Sequence, residues 1–246
     1  MNNSLAIIGG TGLPSVDDWV NTSMRPLETQ YGEPSATPQI GELNGRQIVF
    51  LPRHGAQHSV PPHRINYRAN IDALTQLGVK NIIAISAVGG ISLDAAPQSI
   101  VVPDQLIDYT WGREHTFFDG DPVTHIDFTQ PYASGLREEL LAAARSTGTH
   151  CVDGGTYGAT QGPRLETAAE IDRLERDGCT IVGMTGMPEA SLAREREMDY
   201  ACCALVVNWA AGRGESEIGM DEILNNVEQS RKKLHSIIGA LISATP

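Results

Sequence analysis

The 246-residue chain is short of basic residues and aromatics and has no long apolar run. Lys and Arg number 18 against 30 Asp and Glu, a formal net charge of −12. A chain this acidic repels polyanions before contact, so nucleic acid and anionic membrane surfaces are poor general partners. No stretch approaches the roughly 20 uninterrupted apolar residues that a membrane-spanning helix needs. The opening Met1-Asn2-Asn3-Ser4 places no basic residue ahead of the first apolar segment, so no secretory signal is expected. The cysteines are Cys151, Cys179, Cys202 and Cys203, and none forms a C-x-x-C pair. Reduced, buried thiols of a cytoplasmic protein are the expectation, ahead of metal or redox chemistry. Any anionic ligand must then be held by a small local nest of donors.

What the chain has is 41% hydrophobic residues, set in short runs that alternate with helical spacing. Residues 5–8, 47–51, 81–87, 180–184 and 200–208 read as buried strands, with shorter pieces at 100–102 and 106–109. Residues 66–77, 136–145, 168–177 and 221–243 have the apolar spacing of helices. Residues 28–41 hold Gly32, Pro34, Pro38 and Gly41 and read as turns. Strands buried on both faces and alternating with helices predict an α/β fold, one domain over residues 1–246 with a central mixed β-sheet flanked by helices.

In open α/β sheets ligands gather where strands end. Five such ends carry glycine-rich or polar residues. They are Gly9-Gly10-Thr11-Gly12, Arg53-His54-Gly55, Ser86-Ala87-Val88-Gly89-Gly90, Met184-Thr185-Gly186-Met187-Pro188-Glu189, and Val206-Val207-Asn208. The first lacks the third glycine of a dinucleotide fingerprint, with Ser15 in its place. A single phosphate held by backbone N–H groups and the Thr11 hydroxyl fits it better. Arg53-His54 offers a guanidinium fork and an imidazole donor suited to a tetrahedral oxyanion. An arginine there equally suits sheet-end carbonyls or a carboxylate. His54, His58 and His63 have a metal-like spacing, but Pro61-Pro62 breaks any continuous helix and no metal site is expected. In Gln161-Gly162-Pro163-Arg164-Leu165-Glu166-Thr167, Gly-Pro sets a rigid turn and Leu165-Glu166 opens a helix. Glu166 is then a cap, a dipole partner or a ligand, and Arg164 faces solvent, Glu166 or Glu170.

Taken in order, Ile7-Ile8-Gly9-Gly10-Thr11-Gly12, Arg53-His54-Gly55, Asn66-Tyr67-Arg68-Ala69-Asn70, Ser86 to Gly90, Gly162 to Thr167 and Gly183 to Glu189 span nearly the whole chain. This ordered set resembles the trimeric purine nucleoside phosphorylase and methylthioadenosine phosphorylase family. The resemblance implies reversible phosphorolysis of an N-ribosyl purine in a homotrimer, with no metal or cofactor and inorganic phosphate as co-substrate. It assigns phosphate to Thr11, Arg53, His54, the backbone around Ser86 and Ala87, and Thr185. It places Met184 against the ribose and Leu165, Glu166, Asn208, Trp209 and Ala210 around the substrate, with Asn208 and Glu166 as the catalytic pair.

Specificity is implied the same way. The methylthioadenosine enzymes have aspartates where this chain has Asn208 and Ala210, and Glu166 matches the glutamate that reads N1–H of 6-oxopurines. At the 5′ end of the sugar, Met220 and Ile223 match apolar positions that accept a methylthio group. His125 lies in a segment that a neighbouring subunit contributes to the pocket. A 6-oxopurine end joined to an apolar 5′ end implies S-methyl-5′-thioinosine as substrate. The alternatives are methylthioadenosine phosphorylase, a general inosine and guanosine phosphorylase, and, outside the class, a non-catalytic nucleoside-binding protein or a dehydrogenase.

Overall fold

Continuous apolar runs become central strands only where both sheet faces are covered. The computed structural model describes residues 4–10, 19–215 and 217–244. Among them eleven strands form one mixed sheet, and five α-helices pack against it. The strands are β1 (Leu5–Gly9), β2 (Val20–Met24), β3 (Gln39–Leu43), β4 (Arg46–Pro52), β5 (Asn81–Gly90), β6 (Ile100–Val102), β7 (Gln105–Asp108), β8 (Cys151–Asp153), β9 (Thr156–Ala159), β10 (Cys179–Gly183) and β11 (Asp199–Trp209). The helices are α1 (Tyr67–Gln76), α2 (Ser134–Ser146), α3 (Ala168–Arg176), α4 (Gly186–Glu195) and α5 (Met220–Ala244).

Strand order is β2-β3-β4-β1-β5-β10-β9-β7, and β11 lies on β5 and leads on to β6 and β8. The long β5 organises this arrangement. It pairs in parallel with β11 along its length, with β1 in parallel as far as Ala84, and with β10 antiparallel from Gly89. Between those two partners, residues 85–88 of β5 have no strand on that edge. A sheet that splits in this way leaves backbone groups and side chains free to meet a ligand.

The two faces hold separate cores, because side chains alternate along a strand. On β11, Tyr200, Cys202, Ala204 and Val206 join α1 and α4, while Ala201, Cys203, Leu205 and Val207 join α2 and α5. The adjacent Cys202 and Cys203 therefore point to opposite faces, both are buried, and all four cysteines are free thiols.

Several elements differ from the sequence expectation. β3 grows out of the turn-rich stretch and returns as β4 through Asn44-Gly45, both at positive φ, the two-residue loop this dipeptide favours. β2, β8 and β9 are too short or too polar to show period-two alternation. α4 begins inside a strand-end motif, and Met187 and Pro188 at its start are not helical. Met187 is extended because the following proline ring disfavours a helical neighbour. α3 starts at Ala168, capped by Thr167 in a reciprocal box with Glu170, so Glu166 lies ahead of the helix instead of opening it. Arg164 pairs with Glu170, donating to both carboxylate oxygens at 2.8 Å.

Candidate active site

A cavity of about 540 Å³ opens where β5 is unpaired and the ends of β4, β10 and β11 converge. Arg53 and His54 follow β4 directly, so the strand sets their direction. Ser86 and Ala87 come from the free edge of β5, Met184 and Thr185 from the end of β10, and Asn208 and Ala210 from the end of β11. Leu165 and Glu166 come from the loop before α3, and Ile218, Met220 and Ile223 form a wall at the start of α5. Gly10 lies against the imidazole, and a Cβ there would stand 3.1 Å from the His54 ring.

Trp209 does not line the cavity, because Asn208 and Ala210 take the inward positions of the strand end and their neighbour faces away. Its carbonyl accepts a 2.7 Å hydrogen bond from the Asn208 amide, leaving that side chain one N–H and its oxygen. His125 is exposed and lies off the cavity of its own chain. Thr11 lies outside the described residues.

Arg53 pairs with a buried carboxylate and a strand carbonyl while also lining the cavity. It is 1% exposed and donates at 2.7 Å to each oxygen of Glu189, and at 2.9 Å to the Ile85 carbonyl. Three of its five N–H groups are thus used, and two remain for the cavity it lines. Burial acts to lower its pKa, but the Glu189 carboxylate outweighs this and holds the guanidinium charged. Glu189 is fully buried and also accepts from the Tyr200 hydroxyl at 2.9 Å. An anion would therefore meet a guanidinium whose charge is already balanced, and would be held by aimed N–H groups. Across the gap, the Ser86 and Thr185 hydroxyls lie 3.2 Å apart.

His54 differs from its expected part as a donor. Nδ1 sits 2.8 Å from the Val60 carbonyl, which can only accept, so Nδ1 carries the proton and Nε2 a lone pair. Burial lowers its pKa to about 4, and the Arg53 charge pushes the same way. The folded value lies below the unfolded one of about 6.5, so the unfolded chain binds more protons between the two. This residue's contribution to stability is then full above about pH 6.5 and is lost as pH falls toward about 4. An NMR titration of the ligand-free protein should show no His54 midpoint between roughly pH 5 and 8, and a midpoint near 6.5 would contradict the assignment.

Two residues that sequence reasoning passed over hold the site together. Arg113, in an irregular loop with no motif to announce it, is buried and donates to the carbonyls of Thr160, Gln161, Met184 and Met187. It thereby ties the loop carrying Glu166 to the strand end carrying Thr185. Glu189 stood within a quoted motif, and a carboxylate among Ala190, Leu192 and Ala193 on an apolar helix was the available signal. Gly162 is at φ +60, and a Cβ there would meet the Met184 sulfur at 2.4 Å, so the turn before Glu166 requires glycine.

The split mixed sheet thus sets Arg53, His54, Ser86, Thr185, Glu166 and Asn208 around one cavity of about 540 Å³, the arrangement of an α/β protein that takes a small polar ligand at its strand ends. The chain belongs to the phosphorylase superfamily, which it matches over residues 4–243. It is 52% identical over 241 residues to the "Probable S-methyl-5'-thioinosine phosphorylase" of Xanthomonas campestris pv. campestris, covering 97% of this chain and 96% of that one. It is 44% identical over 249 residues to the 6-oxopurine nucleoside phosphorylase of Pyrococcus furiosus, covering 98% and 92%. In structure it is similar to methylthioadenosine phosphorylase from Schistosoma mansoni in complex with adenine, with a TM-score of 0.93 at 32% identity, covering 98% and 91%.

Proposed function

We propose that this chain catalyses the reversible phosphorolysis of S-methyl-5′-thioinosine to hypoxanthine and 5-methylthioribose 1-phosphate. The observation that carries this reading is one cavity holding Glu166 and Asn208 together with an apolar wall of Ile218, Met220 and Ile223. A phosphate oxygen bonds to the anomeric carbon as the bond to N9 breaks and its electron pair leaves on the purine. The proton of hydrogen phosphate balances the purine anion, so no metal, cofactor or covalent nucleophile enters. Arg53, Ser86, Ala87 and Thr185 would orient the phosphate, and the neutral His54 would accept its P–O–H at Nε2. Asn208 would donate to N7 as charge develops, Glu166 would accept N1–H, and Met184 would shield the sugar.

The base end favours 6-oxopurines, because no carboxylate stands at 208 or 210 for a 6-amino group. A homotrimer is part of the reading. It is supported by Trp111 and Val123, at least 72% exposed on the segment carrying His125, and by Met220, 64% exposed at the cavity mouth. A cytoplasmic location is supported by four free thiols. Among the described residues no helix is long and apolar enough to cross a membrane.

The test is phosphate-dependent base release from methylthioinosine, methylthioadenosine and inosine measured side by side. Methylthioinosine should lead inosine by about 10-fold or more in kcat/KM, the scale of one apolar group in a pocket. Equal or better cleavage of methylthioadenosine would overturn the base assignment. Equal cleavage of inosine would favour the 6-oxopurine activity named for the Pyrococcus relative.

A further inference from the structure

Glu166 is half-buried and reaches the cavity from a loop whose neighbouring residues 163–165 and 167 are exposed, so a carboxylate there needs something to hold its rotamer. Thr160 is its one hydrogen-bond donor among the described residues, with the hydroxyl 2.6 Å from Oε1. We propose that Thr160 is a positioning residue for base recognition, fixing Oε1 so that Oε2 is presented to the N1–H of a 6-oxopurine. This inference rests on the function proposed above.

The threonine can do this because its own backbone is held on both sides. Its N–H donates at 2.8 Å to the Gly183 carbonyl, continuing the pairing of β9 with β10. Its carbonyl accepts from Arg113, which also grips the Gln161 carbonyl at 2.9 Å. The β-branched side chain adds its own restriction at χ1. The hydroxyl can also reach the Gly183 carbonyl, but at 3.3 Å, so the shorter bond to the carboxylate takes the proton. A six-residue separation with Gly162-Pro163 between them sets how far Glu166 lies from its holder. Thr160 itself does not line the main cavity, so its influence passes through Glu166.

The experiment compares Thr160→Val, which keeps the shape and removes the donor, with Thr160→Ser, which keeps the donor. Thr160→Val should lower kcat/KM for methylthioinosine by about 30-fold, the scale of a hydrogen bond to a charged group. The KM for phosphate should stay within about 2-fold, since the Thr160 hydroxyl bonds to Glu166 and Gly183 and to neither Arg53 nor Thr185. Thr160→Ser should return kcat/KM to within about 3-fold of the parent. In a Glu166→Gln background, Thr160→Val should add little further loss, because the Oε2 acceptor that the bond presents to N1–H is already replaced by an amide N–H. Equal damage to phosphate KM, failure of serine to rescue, or full additivity with Glu166→Gln would overturn the positioning role. If Glu166→Gln itself leaves methylthioinosine cleavage intact, the base reading fails; if Glu166→Gln impairs it and Thr160→Val does not, the positioning role alone fails.

Discussion

Replacing Glu189 by alanine is expected to lower stability by about 3–5 kcal/mol, the cost of leaving a buried charge without its partner. Arg53 and Glu189 are 1% and 0% exposed and make two hydrogen bonds of 2.7 Å to each other. Taking both charges out of water offsets most of their mutual attraction, so the intact pair contributes little net stability. Removing one partner is different, because Arg53 cannot shed its proton and Tyr200 loses its acceptor as well. The damage should reach function, since the same guanidinium points its remaining N–H groups at the cavity. Urea unfolding at several phosphate concentrations separates the two effects. With Glu189→Gln, phosphate should raise the unfolding midpoint more steeply than in the parent, because the bound anion replaces a missing negative charge. A stability change below about 1 kcal/mol would show that the pair does not hold Arg53 as described.

Glu166→Gln is expected to lower kcat/KM for methylthioinosine by about 100-fold while changing stability by less than about 1 kcal/mol. The stability change is small because Glu166 is only half-buried and the Thr160 hydroxyl can still donate to an amide oxygen. The catalytic change is large because the amide that replaces Oε2 presents N–H groups to the purine N1–H, so two donors face each other. A site built to receive a polar group discriminates steeply when that group is left unpaired. Steady-state kinetics with methylthioinosine, alongside thermal unfolding of the same preparations, would decide it. A kcat/KM within about 3-fold of the parent would remove Glu166 from base recognition.

The local order of the chain was readable to different depths in different places. Tyr200 to Asn208 is apolar at nearly every position, and that density comes from a strand buried on both faces. The strand ends after β4, β5, β10 and β11 were visible because glycine or polar residues interrupt apolar runs there. β2 was not visible, since its five residues are all exposed and carry no alternation. The Asn44-Gly45 turn was present in the sequence, but its strands border a proline-rich stretch that reads as loop.

Within the site, the sequence by itself determined which chemistry was available: Arg53 and His54 behind a strand, Glu166 behind a Gly-Pro turn, Asn208 closing an apolar run. Only the tertiary structure decided what each group is free to do. Glu189 lies 136 residues from Arg53, and their meeting settles on a carboxylate for part of a guanidinium that the sequence left open to an anion, a carbonyl or a carboxylate. The Val60 carbonyl takes up the Nδ1–H of His54 and leaves only Nε2 for another partner, and Thr160 and Arg113 set the frame in which Glu166 stands. Periodicity and turn chemistry act between near neighbours and are written along the chain. The partners that fix a side chain's protons and direction come from distant segments, and packing alone brings them together.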